Sequence, residues 1–219
     1  MKQIYFFCLF FLLLISVKSQ VVTVGNVAIG YTRDVEGSIV LKDGEIITGK
    51  LTLPGSFDEK VKINGKNISS SKIDQIDANH PKSENVYRFV FVELKRYKNN
   101  GELKTWQSKP GWISLAQSGS KADLYNFAPQ YRMNANGDLL MQMQHNSAFP
   151  FFGLKKDAQE AIMISLSSTD SASEIGTRSF FIKSAKRFFA DNASLVNKID
   201  KKELGIEDIR TIFNIYNEE

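Results

Sequence analysis

Two dipeptides, Asp43-Gly44 and Asn64-Gly65, constrain the fold of this chain more than any other feature in it. Tight hairpin turns need positive φ at their centre, which glycine adopts freely and Asn or Asp accept at low cost. Such pairs between β-branched runs therefore mark antiparallel hairpins. Ile39, Val40 and Leu41 lead into the first turn, residues 45–53 return from it, and Pro54-Gly55 ends that strand. Val61 and Ile63 run through the second turn into Ile68, and Ile73 and Ile76 belong to a further strand or short turn.

The β pattern continues from Val86 to Tyr97, with Asn99-Asn100-Gly101 returning the chain into Leu103 and Trp106. Residues 112–115 and 124–127 are two more strand candidates. Leu139, Met141 and Met143 alternate with polar or outward positions after Asn136-Gly137, which is period two with one apolar face. Residues 161–166 form a last strand. The period then becomes helical: Phe181, Ala185, Phe188 and Phe189 make one stripe, and Asp191 or Asn192 can cap a helix carrying Leu195, Val196 and Ile199. Ile209, Ile212, Phe213 and Tyr216 make another stripe. These patterns predict an α+β fold, antiparallel and β-rich in its N-terminal and central regions, with two or three C-terminal helices packed on the sheet. The expected divisions are a signal peptide over 1–19, an N-terminal segment over 20–36, an antiparallel β region over 37–166, a Ser-rich connector over 167–178 and a helical region over 179–219.

The signal peptide rests on Lys2, an apolar run over residues 4–15, and Ser19 with Val17 two positions earlier, which predicts cleavage before Gln20. The run is too short to cross a bilayer, which takes about 20 residues. Cys8 lies inside the run, badly placed for a lipid-modified first residue, and it is the single cysteine of the chain. Removal of Lys2 and Lys18 leaves 26 basic against 24 acidic residues, a formal charge of +2. That balance carries no electrostatic footprint for nucleic acid. Without cysteine, the mature chain has neither disulfides nor thiolate metal sites, and no segment after the signal reaches transmembrane length.

Chemistry-bearing residues are sparse. His80 and His145 are the two histidines, and neither has a second ligand at metal spacing; both read as surface residues. Ser69-x-x-Lys72 matches the tetrad of penicillin-recognising enzymes as a string, yet lies between strand-like segments, whereas that chemistry needs the serine at a helix start. Ser118-Gly119-Ser120-Lys121 has the flavour of a phosphate loop without its spacing and reads as a turn. Asp74 and Asp77 face opposite sides of a strand and read as solvated. Lys95, Arg96, Lys98, Lys104 and Lys109, with Tyr97 and Trp106, form the one basic–aromatic cluster; interleaved Glu93 and Glu102 favour a solvated hairpin edge over single-strand nucleic-acid binding. Asp170-Ser171-Ala172 offers an O-glycosylation site at Ser171 in the connector, and Asn67 and Asn192 lie in N-glycosylation sequons that matter only in a eukaryotic source.

The hairpin from Gly37 to Lys50, together with the ending Phe188-Phe189-Ala190-Asp191, Leu195, Ile199, Ile209 and Tyr216-Asn217, resembles a broad group of uncharacterised exported proteins of Bacteroidetes-type bacteria. The resemblance covers about a third of the chain and carries no catalytic residue. Many members of that group have two cysteines near the helical end, which this chain lacks. The pattern from Gly37 to Asp77 is also similar to a small Sm- or SH3-like barrel, a scaffold that serves many functions. Together these features imply a non-enzymatic envelope or secreted module, located in the periplasm, at the cell surface or outside the cell, that binds a protein or glycan partner without a cofactor. The alternative is an envelope hydrolase whose catalytic residues, unknown from sequence, are assembled only in the fold.

Overall fold

The computed structural model describes residues 31–142, 149–167 and 174–218. The expected signal peptide over 1–19 with Cys8, the expected cleavage point at Gln20, His145, and Ser171 of the expected connector lie outside these residues.

The two expected hairpins are β1 (Asp34–Leu41) with β2 (Ile46–Thr52), and β3 (Lys60–Ile63) with β4 (Lys66–Ser69). Asn64 and Gly65 hold φ of 49° and 80°, the paired positive values that a two-residue turn of this twist requires. A single 3-10 turn, Ser70–Lys72, joins β4 to β5 (Ile73–Asn79), and β5 pairs back onto β1. The resulting part of the sheet runs β5-β1-β2-β3-β4, with a 3-10 turn before β5. Alternate side chains Ile39, Leu51, Val61, Ile63, Ile73 and Ile76 fill its core. Within β2, Gly49 has φ of 144° and lies against the Asn64 side chain, which donates to the Thr48 carbonyl (2.9 Å) and accepts from Lys50 N–H (3.0 Å).

The spine of the molecule is β6 (Val86–Tyr97), whose length lets it pair with four strands of one sheet. Phe89 pairs with Ile76 of β5 on one side and with Ser114 of β8 (Gly111–Gln117) on the other. Farther along, Lys95 pairs with Thr105 of β7 (Leu103–Thr105) and with Ile162 of β13 (Glu160–Ser167). From β8 the sheet continues through β9 (Ala122–Asn126) and β12 (Phe149–Lys155) to β13, which returns to β6 and closes a five-stranded barrel. The closing pair is parallel, so the expected antiparallel region contains one exception. A separate hairpin, β10 (Gln130–Met133) with β11 (Leu139–Gln142), covers the N-terminal core through Tyr131, Met133, Leu139 and Met141.

Three helices, α1 (Glu174–Phe188), α2 (Ala193–Asp200) and α3 (Ile209–Glu218), pack on the barrel. Along β13, Ala161 and Met163 enter the barrel core, whereas Ile162 and Ile164 meet the helices. Burial on both faces explains why the barrel strands read as continuous apolar runs rather than alternating ones. Asn192, not Asp191, caps α2, its side chain accepting from Leu195 N–H at 2.9 Å. The helical region begins at Glu174, so residues 174–178 of the expected connector are helix, while Ser167 belongs to β13 and residues 34–36 to β1. Gly176 reads as a break in the sequence, but one glycine in a helix costs only about 1 kcal/mol, and an acidic residue is favoured in a first turn.

Candidate functional site

The residues singled out by sequence do not converge. His80 lies in the turn after β5, its Nδ1 accepting from Lys82 N–H at 3.0 Å and its ring near Tyr87. Ser69 shares a hydrogen bond with Ser71 (3.0 Å) at the edge of the 3-10 turn, and Lys72 is exposed there. The neighbouring Ser70 is the buried one: it donates to the Asp58 carbonyl at 2.6 Å, and its hydroxyl lies 3.2 Å from the Trp112 indole N–H. That arrangement ties the 3-10 turn to the loop before β3 and to Trp112.

Asp74 is exposed as expected, but Asp77 is not simply solvated. Its carboxylate is about one-fifth exposed and takes a two-pronged bond from Arg88 at 2.9 and 3.1 Å, with Gln75 donating at 2.7 Å. The pairing of Asp77 opposite Arg88 across β5 and β6 brings this about, a contact that no local pattern reveals.

The turn at Ser118–Lys121 is occupied from within. Gly119 N–H and the Ser118 hydroxyl both donate to Asp123 Oδ1 (2.9 and 3.1 Å), and Lys156 Nζ reaches the same carboxylate at 2.7 and 2.8 Å. A carboxylate of the chain thus sits where an anion would have to bind. Behind it, Asn217 of α3 accepts from the N–H groups of Lys121 (2.8 Å) and Ala122 (2.9 Å) and donates to the carbonyls of Ala122 (3.0 Å) and Phe213 (2.7 Å). Nearby, the Tyr216 hydroxyl donates to Asp191 at 2.7 Å, and Lys155 reaches that carboxylate at 3.2 Å. Asp191, Tyr216 and Asn217 therefore fasten the helices to the barrel.

The basic–aromatic cluster divides. Lys95, only 17% exposed, bridges Glu93 (2.8 Å) and Glu160 (3.2 Å) across the parallel pair that closes the barrel. Trp106 packs edge-on to Phe127 at 5.0 Å and beside Phe152 at 5.4 Å, and Lys109 pairs with Glu59. The expected solvated edge is thus partly a closure element, because β6 is an interior strand.

What remains of the cluster builds a cavity. The tip of the β6–β7 hairpin leans on α1 and encloses about 160 Å³ lined by Tyr97, Lys98, Asn99, Ser179, Phe180, Lys183, Ser184 and Arg187. Arg187 fixes the tip: its guanidinium donates to the carbonyls of Lys98 (3.3 Å) and Asn99 (3.2 Å) and lies over the Tyr97 ring at 5.5 Å. Gly101 makes room for it, since a Cβ there would lie 3.3 Å from the guanidinium. Burial pushes the Tyr97 hydroxyl up, against the opposing pull of Lys155 and Arg187. Lys98 pairs with Glu102 at 2.9 Å, whereas Lys183 is exposed and has no ion-pair partner among the described residues. Ser184 is 1% exposed, and its hydroxyl has no hydrogen-bond partner.

Among the described residues the lining therefore supplies cations, hydroxyls, one amide and an aromatic wall, and no carboxylate or histidine. Sequence reasoning singled out Tyr97 and Lys98 but missed the α1 contribution. Its signal was present: Ser184 stands one turn after Phe181 on an otherwise apolar stripe, where a hydroxyl has no packing reason to be. Among the described residues, no group of three His, Cys, Asp or Glu is placed to hold a metal ion, and no helix is long and apolar enough to cross a membrane. No protein-family model matches the chain, and neither curated proteins nor solved structures provide a match.

Proposed function

We propose that this protein is an exported, non-enzymatic module that binds a sugar unit of a glycan in the cavity between the β6–β7 tip and α1. The observation that carries the reading is the cavity itself: small, concave, walled on one side by Tyr97 and furnished with hydroxyl, amide and cationic donors. Ring-shaped polyols need this combination of a flat apolar surface and several fixed donors. Its volume is close to the roughly 150 Å³ that accommodates a six-membered ring in an engineered cavity. Protein partners are matched instead by broader, flatter surfaces. The apolar run before Ser19 supports export, which would bring the cavity to the envelope or its surroundings.

Titration of the isotope-labelled mature chain with envelope-type oligosaccharides tests the reading by NMR. The expected result is shifted amide signals at residues 97–99 and 179–187, with the oligosaccharide recovered intact. Cleavage of the oligosaccharide by the purified protein would favour the hydrolase alternative. Shifts confined to another surface would move the site elsewhere.

A further inference from the structure

Three features of the cavity point to the charge of its ligand. Three cationic side chains line it, Lys98, Lys183 and Arg187, of which Lys98 is paired with Glu102. Among the described residues no carboxylate lines it. Arg187 is held by two carbonyls and an aromatic face, so its remaining N–H groups are already oriented and a ligand need not order them. The last turn of α1 carries the negative end of the helix dipole, about half a charge, which Lys183 and Arg187 outweigh.

We infer that the sugar bound here is an acidic one, a pyranose whose carboxylate, phosphate or sulfate group is received by Lys183 and Arg187. The inference rests on the sugar-binding reading and adds the charge. The aromatic wall of the cavity has no use for a bare inorganic ion.

Isothermal titration of the full mature chain at low salt compares glucuronate, glucose 6-phosphate, inorganic phosphate and neutral glucose. Glucuronate or glucose 6-phosphate should bind more tightly than glucose and than inorganic phosphate, and binding should weaken as salt is raised. Lys183→Gln should weaken the acidic sugar by about tenfold, the usual scale for one lost charge-assisted hydrogen bond. Because Arg187 also holds the hairpin tip, Lys183→Gln is the cleaner variant. Glucose binding as tightly as glucuronate overturns the inference and leaves the sugar-binding reading standing. Inorganic phosphate binding as tightly as either acidic sugar identifies an ion site and overturns it. Binding of acidic sugars indifferent to Lys183→Gln likewise overturns it.

Discussion

Asn217 and Gly119 should be energetically inseparable. Strand β8 ends before it can pair with Ala122, and the Asn217 side chain takes over the ladder at that point, with three bonds to Lys121 and Ala122 and a fourth to its own helix. Removing them in Asn217→Ala leaves backbone groups beside the buried Ala122 short of partners. At about 1 kcal/mol net per bond, the cost is roughly 3 kcal/mol. For a chain of this length that lowers the melting temperature by about 6–12 °C. Gly119 lies so close that a Cβ would fall 2.0 Å from Asn217 Nδ2 and 2.1 Å from its Cγ. Gly119→Ala must therefore expel the same side chain and should cost about as much. With Asn217 already alanine, the space is open, and Gly119→Ala should be close to neutral, even favourable by about 0.5 kcal/mol through the unfolded chain. Urea unfolding of the two single variants and the double variant measures this. The double variant should lose roughly 3 kcal/mol rather than 6, a coupling far outside the about 0.5 kcal/mol expected of independent sites. Additive losses, or an Asn217→Ala variant as stable as the parent, would refute the role assigned to Asn217.

Desolvation pushes the Asp191 carboxyl up, but the Tyr216 hydroxyl and the Lys155 ammonium outweigh it and hold the group below its ordinary value. A depressed carboxyl contributes stability above the unfolded value of about 3.9 and loses it as pH falls through the folded value. The melting-temperature gap between the parent and Tyr216→Phe should thus be present at pH 6 and shrink as pH falls below the unfolded value and through the lower folded one; a gap unchanged by acid would contradict the linkage. Gly49→Ala places a Cβ 2.1 Å from Asn64 Oδ1 at a φ of 144°, so a loss of about 2 kcal/mol or more is expected in thermal melts, and a neutral result would dispute the Gly49–Asn64 contact. N-terminal sequencing of the exported protein should begin at Gln20, and a start at Met1 would rule out cleavage. Intact mass on the same sample decides the connector: added hexose-type mass that disappears in Ser171→Ala supports the glycan there, and a mass of residues 20–219 alone excludes it.

What the sequence could and could not reveal follows from the range over which each feature is decided. Asp43-Gly44 and Asn64-Gly65 decide their turns within four residues, so both hairpins are legible. The stripes of Phe181, Phe188, Ile212 and Phe213 likewise decide α1 and α3 by local period. β12 escaped notice because Phe149, Pro150, Phe152 and Gly153 are all buried, leaving no alternation to read, and because Gly153 is demanded by a helix far along the chain: a Cβ there would lie 2.5 Å from the Phe188 ring. β10 is only four residues long; the Asn136-Gly137 turn pairs it with β11, and its place against the rest of the fold is set by the isolated bridges of Thr32 to Met133 and Gly55 to Gln130. The barrel closes through Lys95 and Glu160, which look like two ordinary surface charges until β13 is laid parallel to β6.

The cavity belongs to the same class of long-range feature. Arg187 reads as a basic residue in the last turn of a helix, the position its charge favours anyway. It becomes the wall of a site only because barrel closure brings α1 under a hairpin tip nearly ninety residues earlier in the chain, as its bonds to Lys98 and Asn99 show. Tyr97 and Lys98 were visible as half of a cluster whose other half lies on α1. A site assembled from two elements that are each sufficient for packing leaves one local trace, a polar residue where packing calls for an apolar one. Here that trace is Ser184. An alanine at that position would fit the α1 stripe without leaving a buried hydroxyl unpaired among the described residues.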